Sequence, residues 1–476
     1  MGICRSSMMR LTCLWGVMAG VYSGISAAQV DSHTRIISTG QIVSQDALPS
    51  LSGQMAAPIP SHVPENLDLN AAISRAVSWH PDIREAIGRL LEQSETVNVA
   101  EAKYYPQING GINNGITNSY GNSGYSPSLV LSISQMLYDF GKVDSEVRAA
   151  NAGVAQQQAN VLVSIDKVAH DAASAVVRVQ GYQRLVDIAK DQLAALEGIS
   201  QMARHRSDEG ASSQSDVVQT DVRIEGARSA LLQYQANLDR WRATLASRLG
   251  WAQIPRVSDD FPVSLKNACS SGMLDDRLIP TVLAAYARAN QAQAQMDEAT
   301  ARMRPTISLQ PEVNHYLNDR YANSERLDRT QYSAWVKVEM PLYQGGGLTA
   351  SRNAAAHALE AANAAIDIAR LEARQQLTES QNESQSLAHT LQIQARQQAL
   401  GERTRKLYQQ QYLELGTRPL LDILNAEQEV FQSRFTEQQT LMQLHQLQLD
   451  CLYSTGKMRN AFALNHRAIQ AVEIQP

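Results

Sequence analysis

The segment QYSAWVKVEMPLYQGGG, Gln331–Gly347, puts Ala334, Val336, Val338, Met340 and Leu342 on one side of a period-two ribbon and Trp335, Lys337 and Glu339 on the other. Such alternation predicts a strand with one apolar and one wet face. Gly345-Gly346-Gly347 breaks the strand, and from Leu348 the pattern is that of a very long helix. SLVLSISQMLYDFG, Ser128–Gly141, makes the same move earlier in the chain. There Leu129, Leu131 and Ile133 alternate with Val130, Ser132 and Ser134, and a helix is expected from Lys142.

Working outward, each of these strands gains a partner on its N-terminal side. Pro106 and Pro305 end predicted helices in the matching stretches AEAKYYPQI and ATARMRPTI. Ile108, Gly110, Ile112, Asn114 and Ile116 alternate with polar residues after the first, and Ile307, Leu309, Val313 and Leu317 after the second. Loops are expected over Asn118–Pro127 and Asn318–Arg329. The pattern is two hairpins whose strands have the ~9–11 residues that cross a bilayer at a tilt.

Beyond each hairpin the apolar residues keep a spacing near 3.5, as in Val143, Val147, Ala150, Val154, Val161 and Val168. This predicts long helices over Lys142–Arg206 and Leu348–Leu415, walls rather than globular cores. Shorter helices, Ser215–Leu249 and Pro419–Thr455, follow the breaks at Gly210 and Gly416. Gly210 and Gly416, Asp216 and Asp422, and Leu249-Gly250 and Thr455-Gly456 share one offset, which indicates internal duplication. The organisation expected is a signal peptide (1–28), a flexible leader (29–66), a first repeat (67–250, hairpin 106–139) and an irregular connector (251–277). A second repeat (278–456, hairpin 305–343) and an unremarkable tail (457–476) complete it.

Arg5 and Arg10, the apolar run Leu11–Tyr22 and Ser26-Ala27-Ala28 have the layout of a cleaved secretory signal. Its removal leaves Cys269 and Cys451. An oxidising compartment would allow them to bridge, but the expectation is two unpaired buried thiols. The 476 residues carry a net charge of −5, which gives no basic surface for nucleic acid. No HExxH, CxxC, G-x-S-x-G or phosphate-binding loop is present, and the ten histidines are scattered, so neither an enzyme nor a cofactor or metal site is expected.

Four membrane-length strands cannot close on themselves, because unpaired strand edges in lipid cost several kcal/mol per group and common small barrels need about eight strands. Copies must pool their sheets. At this point the hairpins followed by FGK and QGGG, and the turn GTRPLLDILNAEQEVF at Gly416–Phe431, resemble the TolC family of outer-membrane channels. The resemblance spans Leu67 to Lys457. It implies a mainly α protein with a transmembrane β-barrel: a homotrimer whose twelve-stranded barrel joins a long periplasmic α-helical barrel, with an internal two-fold repeat. It also implies a passive duct in the outer membrane of a Gram-negative bacterium, lodged in outer-membrane lipid. Such a duct would be served by a periplasmic adaptor (membrane fusion protein) and an inner-membrane pump of ABC or RND type.

The resemblance further implies a periplasmic gate. Gly416, Arg418 and Asp422 match the family's motif in the second tip, and Ser215 and Asp216 occupy the comparable place in the first. Asp216 and Asp422 would form an acidic ring, and Arg418 would tie neighbouring tips together. Asn425 stands where the best-studied channels carry a second Asp, a departure that weakens the expectation of cation block at the entrance. Without the resemblance, the two acids read as first-turn residues favoured by the helix dipole. Trp335, Lys337 and Glu339 either line the barrel lumen or belong to its periplasmic side. The general look of the N-terminal half resembles type I protein secretion members; efflux of small toxic compounds is the alternative. A rival class is a periplasmic coiled-coil adaptor or scaffold outside any membrane.

Overall fold

A computed structural model describes residues 35–38, 65–119, 122–270, 274–317 and 328–475. The signal segment, most of the leader and most of the second hairpin's loop lie outside these residues. Helices α1 (Leu69–Trp79) and α2 (Pro81–Glu101) meet at His80, with Asp68 capping the first through its carboxylate and Pro81 opening the second. Strands β3 (Gln107–Asn113) and β6 (Ser128–Tyr138) then pair antiparallel, and α3 (Lys142–Asp208) runs 67 residues, about 100 Å. The next helix, α4 (Gln214–Leu249), returns along it.

The second half repeats the path. Helix α5 (Pro280–Ala301) leads to β8 (Thr306–Tyr316) and β9 (Thr330–Glu339). Helix α6 (Gly347–Gln410) passes into a π-helical turn at Gln411–Leu415, and α7 (Leu420–Ser454) returns. The predicted end of the long helix at Leu415 therefore holds, but its last turn is wider than α. Gly250 and Gly456, one repeat apart, are both left-handed at φ 65° and 67°. A side chain at Gly250 would strike the Trp79 ring, and one at Gly456 the carbonyl of Leu278. Gly250 thus lets the end of α4 abut the end of α1, and Gly456 lets the end of α7 abut the entry to α5.

The packing order gives the shape. Helix α3 contacts α2 and α4 on one side and α5 and α7 on the other, while α6 packs on α5 and α7. The result is a wall with two free margins. Ile368, Leu371, Ile393 and Leu400 are exposed on α6, and Val218, Val222 and Leu232 on α4.

The four long strands form one antiparallel sheet, in order β3-β6-β8-β9, that leaves β3 and β9 as edges. Its register sorts the side chains by face, because paired residues share a side. Rows such as Ile108–Ile133, Leu131–Val313–Tyr332, Leu309–Val336 and Ile307–Val338 form an apolar face. Rows such as Asn109–Ser132–Glu312–Ser333, Gln107–Ser134 and Ser308–Lys337 form a polar one. The β6–β8 ladder skips Pro311, which has no N–H to give. No helix among the described residues is long and apolar enough to cross a membrane, so this sheet carries the apolar surface that lipid would cover.

Five expectations need correction. Met340 and Leu342 lie outside β9, which stops at Glu339, since Pro341 cannot donate to a ladder. The alternation through Ile116 is broken at Asn114-Gly115, and β4 (Ile116–Ser119) and β5 (Asn122–Tyr125) form a separate small hairpin that overlaps the expected loop. The leader is not wholly without structure. Its β1 (Arg35–Ser38) pairs in parallel with β11 (Val472–Gln475), and β2 (Asn66–Leu67) pairs with β7 (Arg256–Val257) of the connector.

The tail is not unremarkable either. It adds α8 (Met458–Ala461), β10 (Ala468–Ile469) and β11, and buries Phe462, Leu464, Ile469, Val472 and Ile474 against the main core. Finally, Cys269 and Cys451 are not free thiols: they form a disulfide, with Cα atoms 5.2 Å apart, that pins the connector to α7. The connector lies along α7 in this fold, a proximity that sequence spacing does not show.

Candidate functional site

The far end of the helical wall, where each repeat turns, holds the residues expected to gate. In the first tip, Ser213 caps α4 through a reciprocal box with Asp216. The Asp216 carboxylate accepts from the Ser212 hydroxyl at 2.7 Å and from the Ser213 amide at 3.3 Å. The Ser212 hydroxyl, helped by Ser213, holds the Asp216 carboxyl below the usual carboxylate range. Asp216 is therefore both an anion at the tip and a helix cap. The Ser215 hydroxyl meets that of Ser213 at 2.6 Å.

In the second tip, Gly416 takes a left-handed φ of 61° to leave the π-helical turn. Arg418 follows, and its guanidinium finds partners within its own chain. Its Nη1 donates to Asp422 at 2.8 Å, its Nε donates to Gln411 at 2.9 Å, and the group lies 4.3 Å from the centre of the Tyr408 ring. Within the protomer Arg418 thus pairs inside its own tip, and its expected tie to neighbouring tips belongs to the assembly. With Arg418 just before α7 and Asp422 in its first turn, the pair closes locally before any neighbour is needed.

Sequence reasoning missed two contacts. Arg206, at the end of α3, donates to the carbonyl of Tyr412 at 3.1 Å and lies 4.5 Å from the centre of its ring. Arg223 of α4 reaches Asn425 at 3.3 Å and also Gln428, so it links the two tips. The repeat offset was one available signal, since it superposes Arg206 on Tyr412. Asn425, singled out only as a missing acid, is a neutral acceptor for Arg223. Beneath these groups Leu196, Ile199, Ile224, Leu420, Ile423 and Leu424 form a small separate core.

At the other end of the molecule, Trp335, Lys337 and Glu339 stand together on the polar face of the sheet, with Lys337 paired to Glu339 at 2.6 Å. The gate residues and these three are far apart in the fold: the sheet and the tips lie at opposite ends of α3 and α6. Among the described residues no group of His, Cys, Asp and Glu is arranged to hold a metal ion.

A duplicated helical wall of this length, carrying a two-faced sheet at one end and closed turns at the other, defines an outer-membrane channel protomer. Residues 72–251 and 279–451 match the family described as outer membrane efflux protein, and the chain belongs to that family. It is 24% identical over 377 residues to the outer membrane efflux protein BepC of Brucella suis, covering 76% of this chain and 79% of that one. It is 27% identical over 339 residues to the protein CyaE of Bordetella pertussis, covering 64% and 68%. The outer membrane protein VceC of Vibrio cholerae superposes with a TM-score of 0.71 at 17% identity, covering 82% of this chain and 96% of the other. The protein is accordingly an outer-membrane efflux channel component with a periplasmic helical extension, not an enzyme. The alternative of a scaffold outside any membrane is set aside by this membership.

Proposed function

We propose that three copies pool their sheets into a twelve-stranded barrel and their helical walls into one tube, making a passive exit duct for a tripartite export system. The observation that carries this reading is the four-stranded sheet with a lipid-type face and two unpaired edges. Copies joined β9 to β3 remove both edges at once. The apolar margins on α6 and α4 would meet in the same operation. A periplasmic adaptor and an ABC or RND-type pump in the inner membrane supply the energy that a passive pipe lacks.

The polar face of the sheet becomes the lumen, with Trp335, Lys337 and Glu339 on its wall. Gly416, Arg418, Asp422, Ser215 and Asp216 become the gate. The Arg418–Asp422 pair holds the second tip in its tight turn, and adaptor contact releases it. Replacing Arg418 by Ser together with Asp422 by Ala is expected to raise single-channel conductance in planar bilayers. Conductance equal to the wild type would remove the pair from the gate.

For cargo, we assign type I protein secretion, on the look of the N-terminal half. Small-molecule efflux is the second reading, favoured by the efflux name of the family and of BepC. Deleting the gene and measuring both the secreted proteome and drug sensitivity separates them. Loss of secreted proteins is expected. A change in drug sensitivity alone would contradict the secretion assignment.

A further inference from the structure

The lumen face is mostly polar; Val130, Met136 and Tyr316 interrupt it, and Trp335 is its largest aromatic group. It is 67% exposed, directly opposite Gln310 on β8, and its strand neighbours on that face are Ser333 and Lys337. Glu312 faces Ser333 across the same pair of strands, so it is the diagonal neighbour of Trp335. Diagonal pairs on one face of a sheet stand about 7–8 Å apart, within reach of an aromatic side chain. Glu312 accepts a hydrogen bond from Asn314, and among the described residues no cation pairs with it. Lys337, the basic group nearest along β9, is taken by Glu339.

We infer that Trp335 and Glu312 form a contact site for planar organic cations in transit. An indole face attracts a cation through its quadrupole, and an uncompensated carboxylate on the same wall adds Coulomb attraction. Neither group alone selects a chemical class. Together they favour a molecule that is both flat and positively charged over a neutral aromatic or a hydrated metal ion. This site rests on the duct reading with its second, small-molecule cargo, since only closure of the barrel makes the polar face a lumen and repeats the site around it.

The alternative role for Trp335 is structural. The edge strand β3 carries Gly110-Gly111, and a tryptophan on β9 of a second copy could lie over that bare backbone. Trp335 would then be buried at the seam between copies and unavailable to cargo.

The test uses the full-length protein in planar bilayers, with ethidium added on the side of the barrel loops and magnesium as a non-aromatic cation. Ethidium is expected to interrupt the wild-type current. Trp335→Ala and Glu312→Gln are each expected to weaken that block about tenfold, with Trp335→Phe within about threefold of wild type. Magnesium block, set by the acids of the gate, is expected to be unchanged in Trp335→Ala. Ethidium block that is the same in Trp335→Ala as in wild type would overturn the site while leaving the duct intact. A protein that inserts but never conducts would overturn the duct reading and this site with it.

Discussion

At about pH 8 and above, where Asp166 would have to ionise alone, Arg459→Met is expected to lower stability by an amount approaching the ~3–5 kcal/mol penalty of a buried charge without its partner. Arg459 in α8 donates to Asp166 in the middle of α3 at 2.7 Å, and the two side chains are 4% and 1% exposed. The same guanidinium donates to the carbonyl of Leu278 at 3.0 Å, just before α5. One side chain therefore ties the tail, the long helix and the start of the second repeat together. The other oxygen of Asp166 has no partner, so nothing else is in place to support the charge. Replacing both residues, Asp166→Leu with Arg459→Met, is expected to recover most of the loss, because an apolar pair needs no compensation.

The pH dependence follows from the same geometry. Burial pushes the Asp166 carboxyl up to about 7, against the pull of Arg459. The folded chain thus keeps a proton that the unfolded chain releases near pH 4. The contribution of this group to stability is full below about pH 4 and is lost as pH rises through 7. Without Arg459 the carboxylate is harder still to form. The deficit of Arg459→Met should therefore be small at about pH 5 and grow toward about pH 8. Thermal unfolding followed by far-ultraviolet circular dichroism at the two pH values checks this. A midpoint equal to wild type at both would show that the pair is not a structural tie.

The second large effect is expected at the disulfide. Cys269 and Cys451 are 182 residues apart, so their bond encloses nearly all of the second repeat. Closing so long a loop restrains the unfolded chain, and removal of such a bond typically costs about 2–5 kcal/mol. Nearby polar contacts reinforce the clamp: Gln381 donates to the carbonyl of Cys269, and Gln448 to that of Lys266. Cys451→Ser is expected to lower the thermal midpoint clearly, and a reductant should bring wild type down to the level of the variant. Reductant should leave the variant itself unchanged. A wild type that unfolds at the same temperature with and without reductant would contradict the clamp.

What the chain reveals before folding is the part with a period. The strand alternations, the long 3.5-residue seams and the common offset of Gly250 and Gly456 all carry a repeating physical constraint, so both repeats were legible. So was the turn that carries Gly416, Arg418 and Asp422. Features without a period were hidden. Arg459 lies in a short tail, and nothing in its surroundings announces that it reaches Asp166. Likewise the pairing of Arg35–Ser38 with Val472–Gln475 joins the leader to the tail, a proximity that no local pattern encodes. The local pairing of Arg418 with Asp422 was within reach of helical spacing; the cation–π contacts to Tyr408 and Tyr412 depend on the π-helical turn, which is not.

The claim on which the functional reading depends is that β3 and β9 are completed by other copies of the same chain. Native mass spectrometry of the full-length protein released from detergent micelles addresses it directly. The account predicts a particle with the mass of three chains. A particle with the mass of one chain, extracted from the outer membrane in folded form, would contradict it.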